Sequence, residues 1–292
     1  MRTAVLVPCF NRPHYLEQVL ADLLATPQVR LGMPVILACD GGEKALVTEN
    51  IAVAVKAKIP CLHCLVRPSH FGVGRNVYEA TRYVFEECQF DQVFYLEDDI
   101  RISPHILTLL LNIQHWLKSN YSNVAIISAS VYCLMTLEEK QTNLALVSDC
   151  GYSVCNRLMT KESWHMIRPW MHEYVQRFLQ CHYNERNNEA IIAWMKHLAQ
   201  RLPVQYGNHM FPVHWDFKRY FLAEPATSQD SMTVLALRLA GMSHVVATVN
   251  RGLHIGRIGE NSTEETWQRS YSATALDVFE DDNTLTVFRV KA

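Results

Sequence analysis

Two short apolar runs, residues 3–7 and 34–40, enclose a segment in which Leu16, Val19, Leu20, Leu23 and Leu24 recur at helical spacing. Apolar runs bounded by Pro, Gly and Asp read as strands buried on both faces, as parallel strands are. The chain has thus completed a β-α-β unit by Asp40, and the pattern goes on. Residues 59–66 read as a third strand, and residues 75–88 as a helix with Val77, Ala80, Thr81 and Val84 on one face. Gln92–Leu96 reads as a fourth strand that runs directly into Glu97-Asp98-Asp99. Such alternation implies an α/β, doubly wound, mostly parallel sheet with helices on both faces, whose ligands sit outside the carboxyl ends of its strands. Asp40 and the acidic triplet occupy two such ends.

Beyond Ile100 the alternation blurs. A helix over 104–117 and a strand over 124–129 are followed by a hairpin across 144–155 and a largely helical stretch over 164–200. Residues 203–225 read as loop with a short amphipathic piece at Phe217–Leu222. A last helix over 230–240 and a strand over 244–249 precede the Gly-rich segment 252–259. Neither a repeat nor a low-complexity linker interrupts the chain. The two halves, 1–101 and 102–292, are therefore expected to share one sheet.

The 292 residues carry a formal charge of -2, so no overall basic field advertises nucleic acid or an anionic membrane. A local basic groove stays compatible with that total. The longest apolar stretches, near 106–111 and 124–134, fall short of the ~20 residues a membrane-spanning helix needs, and the expectation is a soluble, cytoplasmic protein. Nine cysteines, an odd number scattered along the chain, suit buried thiols in a reducing compartment better than a disulfide framework. Cys61-Leu-His-Cys64 lacks the second pair that a zinc site would want.

Three adjacent carboxylates at the end of a buried strand repel one another, and a cation relieves that repulsion. A hard divalent ion there, Mn2+ or Mg2+, suits a carboxylate together with phosphate oxygens of a substrate. The bland alternative is a solvated acidic turn. Dinucleotide binding would want GxGxxG after the first strand, where this chain has Pro8-Cys-Phe-Asn-Arg-Pro13. A P-loop motif is missing as well. His70-Phe-Gly-Val-Gly-Arg-Asn76 opens a helix and is either an anion site or an ordinary strand-to-helix turn.

Pro8-Cys-Phe-Asn-Arg12, Asp40-Gly-Gly42 and Glu97-Asp98-Asp99 resemble GT-A glycosyltransferases, and in particular inverting N-acetylglucosaminyltransferases with a Glu-Asp-Asp motif and related family 2-like enzymes. The resemblance implies a Rossmann-like nucleotide-sugar half over 1–101 and a fused acceptor-binding, catalytic half over 102–292. It sets Asp99 on the metal, Asp98 on the donor's ribose side, Asp40 on the uracil imide, and Pro8, Asn11, Arg12 and Glu97 among the nucleotide-sugar contacts. Arg75 and Asn76 follow as second-rank donor contacts. Ser228-Gln-Asp230, then a helix, Gly241, a strand and Gly252-Leu-His254-Ile-Gly256, is similar to the relatives' segment bearing the general base. That implies Asp230 as base and His254 as a metal or diphosphate ligand, with Arg251 and Arg257 flanking it. Gln229 stands where the family has tryptophan.

Read from the residues alone, Asp230 is either that base or a helix N-cap, and Asp216, in Trp215-Asp216, is the second choice of base. Asp149-Cys-Gly151-Tyr152-Ser153 and Trp164 resemble the family's acceptor-side hairpin, which puts Gly151, Tyr152 and Trp164 at the acceptor; aromatic residues of this kind are also common core. The Asn261-Ser-Thr sequon lies too near this region to be used. The partners implied are a nucleotide-diphosphate sugar, a UDP-sugar first, and an acceptor hydroxyl on a glycan, a protein or a small molecule. A hydroxymethylated DNA base is a further acceptor, which flipping would have to expose. A nucleotide-binding module without catalysis and a nucleotidyltransferase are readings of another class.

Overall fold

The computed structural model describes residues 1–150, 155–202, 210–213, 215–258 and 263–291. Its strands are β1 (Thr3–Cys9), β2 (Val35–Cys39), β3 (Leu62–Val66), β4 (Gln92–Leu96), β5 (Ile100–Ile102), β6 (Val124–Ser130), β7 (Leu146–Asp149), β8 (Asn156–Thr160), β9 (Ser243–Asn250), β10 (Gly252–His254) and β11 (Arg289–Val290). Nine of them form one mixed sheet in the order β11-β7-β9-β6-β8-β4-β1-β2-β3, and β10 pairs with β5 in a separate ribbon.

The half built from β1 to β4 follows the expected parallel pattern, with β1 between β2 and β4. Successive residues of these strands feed two cores. Leu6, Ile36, Val93 and Tyr95 face the helices Val73–Arg82, Lys161–Phe178 and Gln229–Leu239. Val5, Val7, Leu37, Phe94 and Leu96 face Pro13–Ala25 and Ile106–Asn120. Every residue of β2 and β4 is buried, which explains the unbroken apolar sequence of β2 and the apolar run after Gln92 in β4. β3, at the sheet edge, leaves His63, Cys64 and Val66 exposed.

The second half joins the same sheet through β8, which lies antiparallel between β4 and β6. β7 pairs with β9 and β11 and not with β8, and residues 151–154 of the hairpin expected over 144–155 lie outside the described residues. Leu158 and Met159, on opposite faces of β8, each enter one core, and only a central place in the sheet buries both. All nine cysteines are free thiols. No helix among the described residues is long and apolar enough to cross a membrane.

Candidate active site

The parallel strands β1, β2 and β4 release their chains at one edge of the sheet, beside the point where the order turns from β1 to β4. A cavity of about 240 Å³ opens there. Pro8, Asn11, Arg12, Asp40, Asn76, Glu97, Asp98, Asp99, Asp230 and His254 all line it. Residues from both halves of the chain thus converge on one space.

Arg12 starts the helix Pro13–Ala25 but leaves its N–H groups without a side-chain cap. Its guanidinium instead donates to Asp98 and Asp99 at once. Burial opposes the arginine's charge, and the attraction of Asp98, Asp99 and Glu97 outweighs it, raising the group above its ordinary range. Asp98 is almost fully buried, and the loss of solvent lifts its carboxyl to about 6 against the pull of Arg12. Glu97 is also pushed well up, through burial first and then through the charges of Asp230 and Asp99. The triplet therefore crowds carboxyls whose ionisation burial disfavours around a single arginine.

The ribbon of β5 and β10 sets His254 opposite Ile100, so that His254 Nε2 lies 3.7 Å from Asp99 Oδ2. Ile255 N–H donates to the Asp99 carbonyl (2.9 Å), and a Cβ on Gly256 would stand 2.1 Å from Asp99 Oδ2. Only glycine lets the backbone pass this close to the carboxylate. Tyr271 stacks flat on the imidazole at 4.4 Å, and Trp267 Nε1 donates to the His254 carbonyl (2.9 Å). Burial lowers the affinity of the imidazole for a proton, and Asp99 counters it only in part. Asp99 Oδ1 and His254 Nδ1 are buried without a hydrogen-bond partner among the described residues. A neutral imidazole and an unsatisfied carboxylate side by side suit a divalent cation, and these two residues fit as its protein ligands. Among the described residues no group of three His, Cys, Asp or Glu forms a cage, so any ion held here keeps positions for water or phosphate.

Asp40 is buried at the end of β2, and its carboxylate is already occupied. Oδ1 accepts from Gly41 N (2.9 Å) and Phe71 N (2.7 Å), and Oδ2 accepts from Gly72 N (2.9 Å). His70 Nδ1 lies 3.0 Å from Oδ2. The side chain that the resemblance set against a nucleobase thus fastens the 70–72 loop to the sheet. The His70 ring, stacked on Phe10 at 4.4 Å, forms the cavity wall that results. Asn76 is committed in a similar way, donating to Ala38 O (3.0 Å) and accepting from Arg67 (2.9 Å). Arg75 does not line the cavity, and its guanidinium packs on the Phe71 ring at 4.1 Å.

Asp230 enters from the N-terminus of Gln229–Leu239. The cap of that helix is Ser228, whose hydroxyl accepts from Ser231 N (3.2 Å). Asp230, one position inside, is left facing the cavity, with its side chain 27% exposed. Burial raises its carboxyl's affinity for a proton, and Arg157, 3.9 Å away, opposes that. Capping belongs instead to the second candidate: Asp216 is exposed, accepts from Arg219 N (2.9 Å) at the start of Phe217–Leu222 and is absent from the cavity walls.

Three other expectations are corrected or fall outside the site. Trp164 is 2% exposed, packs on Phe85 and Tyr78, and donates to Glu86 (2.9 Å), so it is core and presents no face to a sugar. Arg251 is fully buried in a bidentate pair with Asp282 (2.8 and 2.6 Å) and neutralises no phosphate. Arg257 stacks over Trp267 at 4.4 Å and does not line the cavity. Gly151, Tyr152 and Asn261 lie outside the described residues. Phe10, His70, Tyr95 and Gln229 line the cavity without having been singled out for it. For Phe10, its place inside the first-loop motif was the available signal.

Residues 1–247 match the family described as glycosyltransferase like family 2. The chain belongs to that family. His254 lies beyond the matched stretch. Among solved structures, the chain is similar to a mannosyltransferase from Pyrobaculum calidifontis in complex with GDP-Man and Mn2+, at 13% identity and a TM-score of 0.44 over 86% of this chain and 57% of that one. It is also similar to S. aureus TarS, at 11% identity and a TM-score of 0.44 over 85% of this chain and 37% of that one. A TarS fragment in complex with UDP-GlcNAc aligns over 56% of this chain and 47% of its own, at 13% identity and a TM-score of 0.39. The chain therefore spans little more than half of the mannosyltransferase and less of TarS. No curated protein matches it.

Proposed function

We propose that this glycosyltransferase moves a sugar from a nucleoside-diphosphate donor, a UDP-sugar first, to an acceptor hydroxyl with inversion and with help from a divalent cation. The observation that carries the reading is the convergence of Asp230 and the Asp99–His254 pair on one cavity from different halves of the chain. Asp230 takes the proton of the acceptor hydroxyl, whose oxygen then attacks the anomeric carbon. The bond to the diphosphate breaks on the opposite face, and the nucleoside diphosphate departs toward Arg12, the one guanidinium in the cavity wall among the described residues. Asp99 and His254 would hold Mn2+ or Mg2+, which when bound supplies positive charge to the departing diphosphate. Asp40 acts by fixing the Phe10–His70 wall against which the base would lie, and the closeness of Oδ2 to that wall supports a part in base selection.

Transfer from a panel of UDP- and GDP-sugars to mixed glycan, peptide and hydroxymethylated-DNA acceptors, with and without Mn2+, tests the whole reading. General-base catalysis contributes about 10²–10⁴ in rate, so Asp230→Asn is expected to slow transfer at least ~100-fold with donor affinity near wild type. Asp216→Asn should transfer normally. A fast Asp230→Asn enzyme, or full activity in excess chelator, would remove the base or the metal from this mechanism.

A further inference from the structure

Arg157 belongs to none of the motifs that mark the site, yet the sheet delivers it to the back of Asp230. It sits in β8, opposite Tyr95 of β4 on one side and Ser128 of β6 on the other. Its side chain is only 5% exposed, and its guanidinium lies over the Tyr95 ring, 4.0 Å from the centroid. Nη1 is 3.9 Å from Asp230 Oδ1. Tyr95 and Asp230 line the cavity and Arg157 does not, so the arginine approaches the carboxylate from the protein side.

A carboxylate in this position is under pressure to take up a proton. It has lost most of its solvent, and burial raises its affinity for a proton. Tyr95, next to it, is kept protonated by burial, and His244 of β9, on the far side of Arg157, is kept neutral by burial beside Arg157 and Arg238. Arg12 and His254 lie in the cavity wall with the triplet. From Lys161–Phe178, packed on the same helix, Met171 accepts from Thr233 Oγ1 (3.7 Å). Among the described residues, Arg157 is thus the cation that acts on Asp230 directly. A guanidinium stays charged at every pH of interest, and the aromatic face beneath it holds it without taking that charge away.

We propose that Arg157 is a positioning residue for Asp230: its charge, clamped on Tyr95, keeps the buried carboxylate ionised and ready to accept the acceptor's proton at neutral pH. This rests on Asp230 being the base. Two readouts separate the two claims. One is the titration of Asp230 followed by 13C NMR in the full chain labelled at aspartate carboxyls, its signal assigned by its loss in Asp230→Asn. The other is the pH profile of sugar transfer.

An opposite charge at this distance moves a carboxyl by about 1–3 in pH. In Arg157→Gln, both the carboxyl titration and the acid limb of the rate profile are expected to move up by about that much. In Arg157→Lys both should return toward wild type, and the donor KM should change little in either variant. If the glutamine variant does not fold, Arg157→Met, which fills the buried site with an apolar chain, carries the same test. If neither readout moves while Asp230→Asn remains slow, Arg157 has a packing role alone and the inference is overturned, with the base assignment left standing. If the carboxyl titration moves and the rate profile does not, Asp230 is not the base, and the catalytic role of Arg157 falls with it.

Discussion

At the scale of single residues, Arg12 occupies the place that a metal ion would take. Its guanidinium bridges Asp98 and Asp99, and a cation coordinated by Asp99 must compete with that charge-assisted contact. A diphosphate offers the arginine another anion, so donor and metal should bind as a set. Arg12→Gln is therefore expected to strengthen Mn2+ binding in the absence of nucleotide and to weaken nucleotide binding, both readable by the EPR signal of free Mn2+. Weaker or unchanged Mn2+ binding without nucleotide would show that Arg12 and the ion do not compete. Asp40 makes the complementary case, because it holds three backbone N–H groups. An amide has one acceptor oxygen where a carboxylate has two, so Asp40→Asn should strand at least one buried N–H, at a cost of about 1–3 kcal/mol. A lower Tm without any ligand is the expected result. An unchanged Tm, with loss of donor binding alone, would return Asp40 to direct contact with the base.

Among the elements, the start of Gln229–Leu239 divides two duties between neighbouring residues. Ser228 caps the helix and Asp230 faces the cavity. Ser228→Ala should cost about 0.5–2 kcal/mol of stability, while Asp230→Asn should cost little stability and most of the rate. Urea denaturation of both variants beside their transfer rates checks the division, and a reversed pattern would make Asp230 the structural residue. The sequence pattern made β1, β2 and β4 legible because their apolar runs reflect burial on both faces, and it put the acidic triplet at a strand end for the same reason. It could not show that β8 inserts between β4 and β6, since pairing between residues as far apart as Tyr95 and Arg157 leaves no local period. Trp164 was misread for a related reason: an aromatic residue in a helix looks the same whether it faces a sugar or Phe85. Asp230 was ambiguous as well, because capping and catalysis both place an aspartate where a helix begins; the cap that the sequence allowed at Asp230 is made instead by Asp216 at its own helix.

Across the whole molecule, the sheet that assembles the site also buries a histidine far from water. His244, in β9, is 1% exposed, lies 2.8 Å from Ser128 Oγ and has no partner for Nδ1 among the described residues. Burial, with the nearby charges of Arg157 and Arg238 adding to it, drives its proton affinity down to about 3, from 6.5 for an ordinary histidine. Below about pH 6.5 the unfolded chain therefore takes up a proton here that the folded chain refuses. The stability tied to neutral His244 is complete above that pH and is lost as the pH falls toward 3, at about 1.4 kcal/mol per pH unit. His244→Asn removes this term while leaving every other titrating group in place. At pH 7.5 the variant should be less stable, having lost the imidazole's packing and its contact with Ser128. By pH 5 the gap between the two proteins should narrow by roughly 2 kcal/mol, because only the wild type pays for keeping His244 neutral. Urea denaturation at both pH values measures the gap directly, and the groups common to both proteins cancel in the difference. A gap that stays constant would mean that His244 takes up its proton in the folded protein as readily as in the unfolded one, and that β9 admits a charge where the packing of the sheet leaves no room for one.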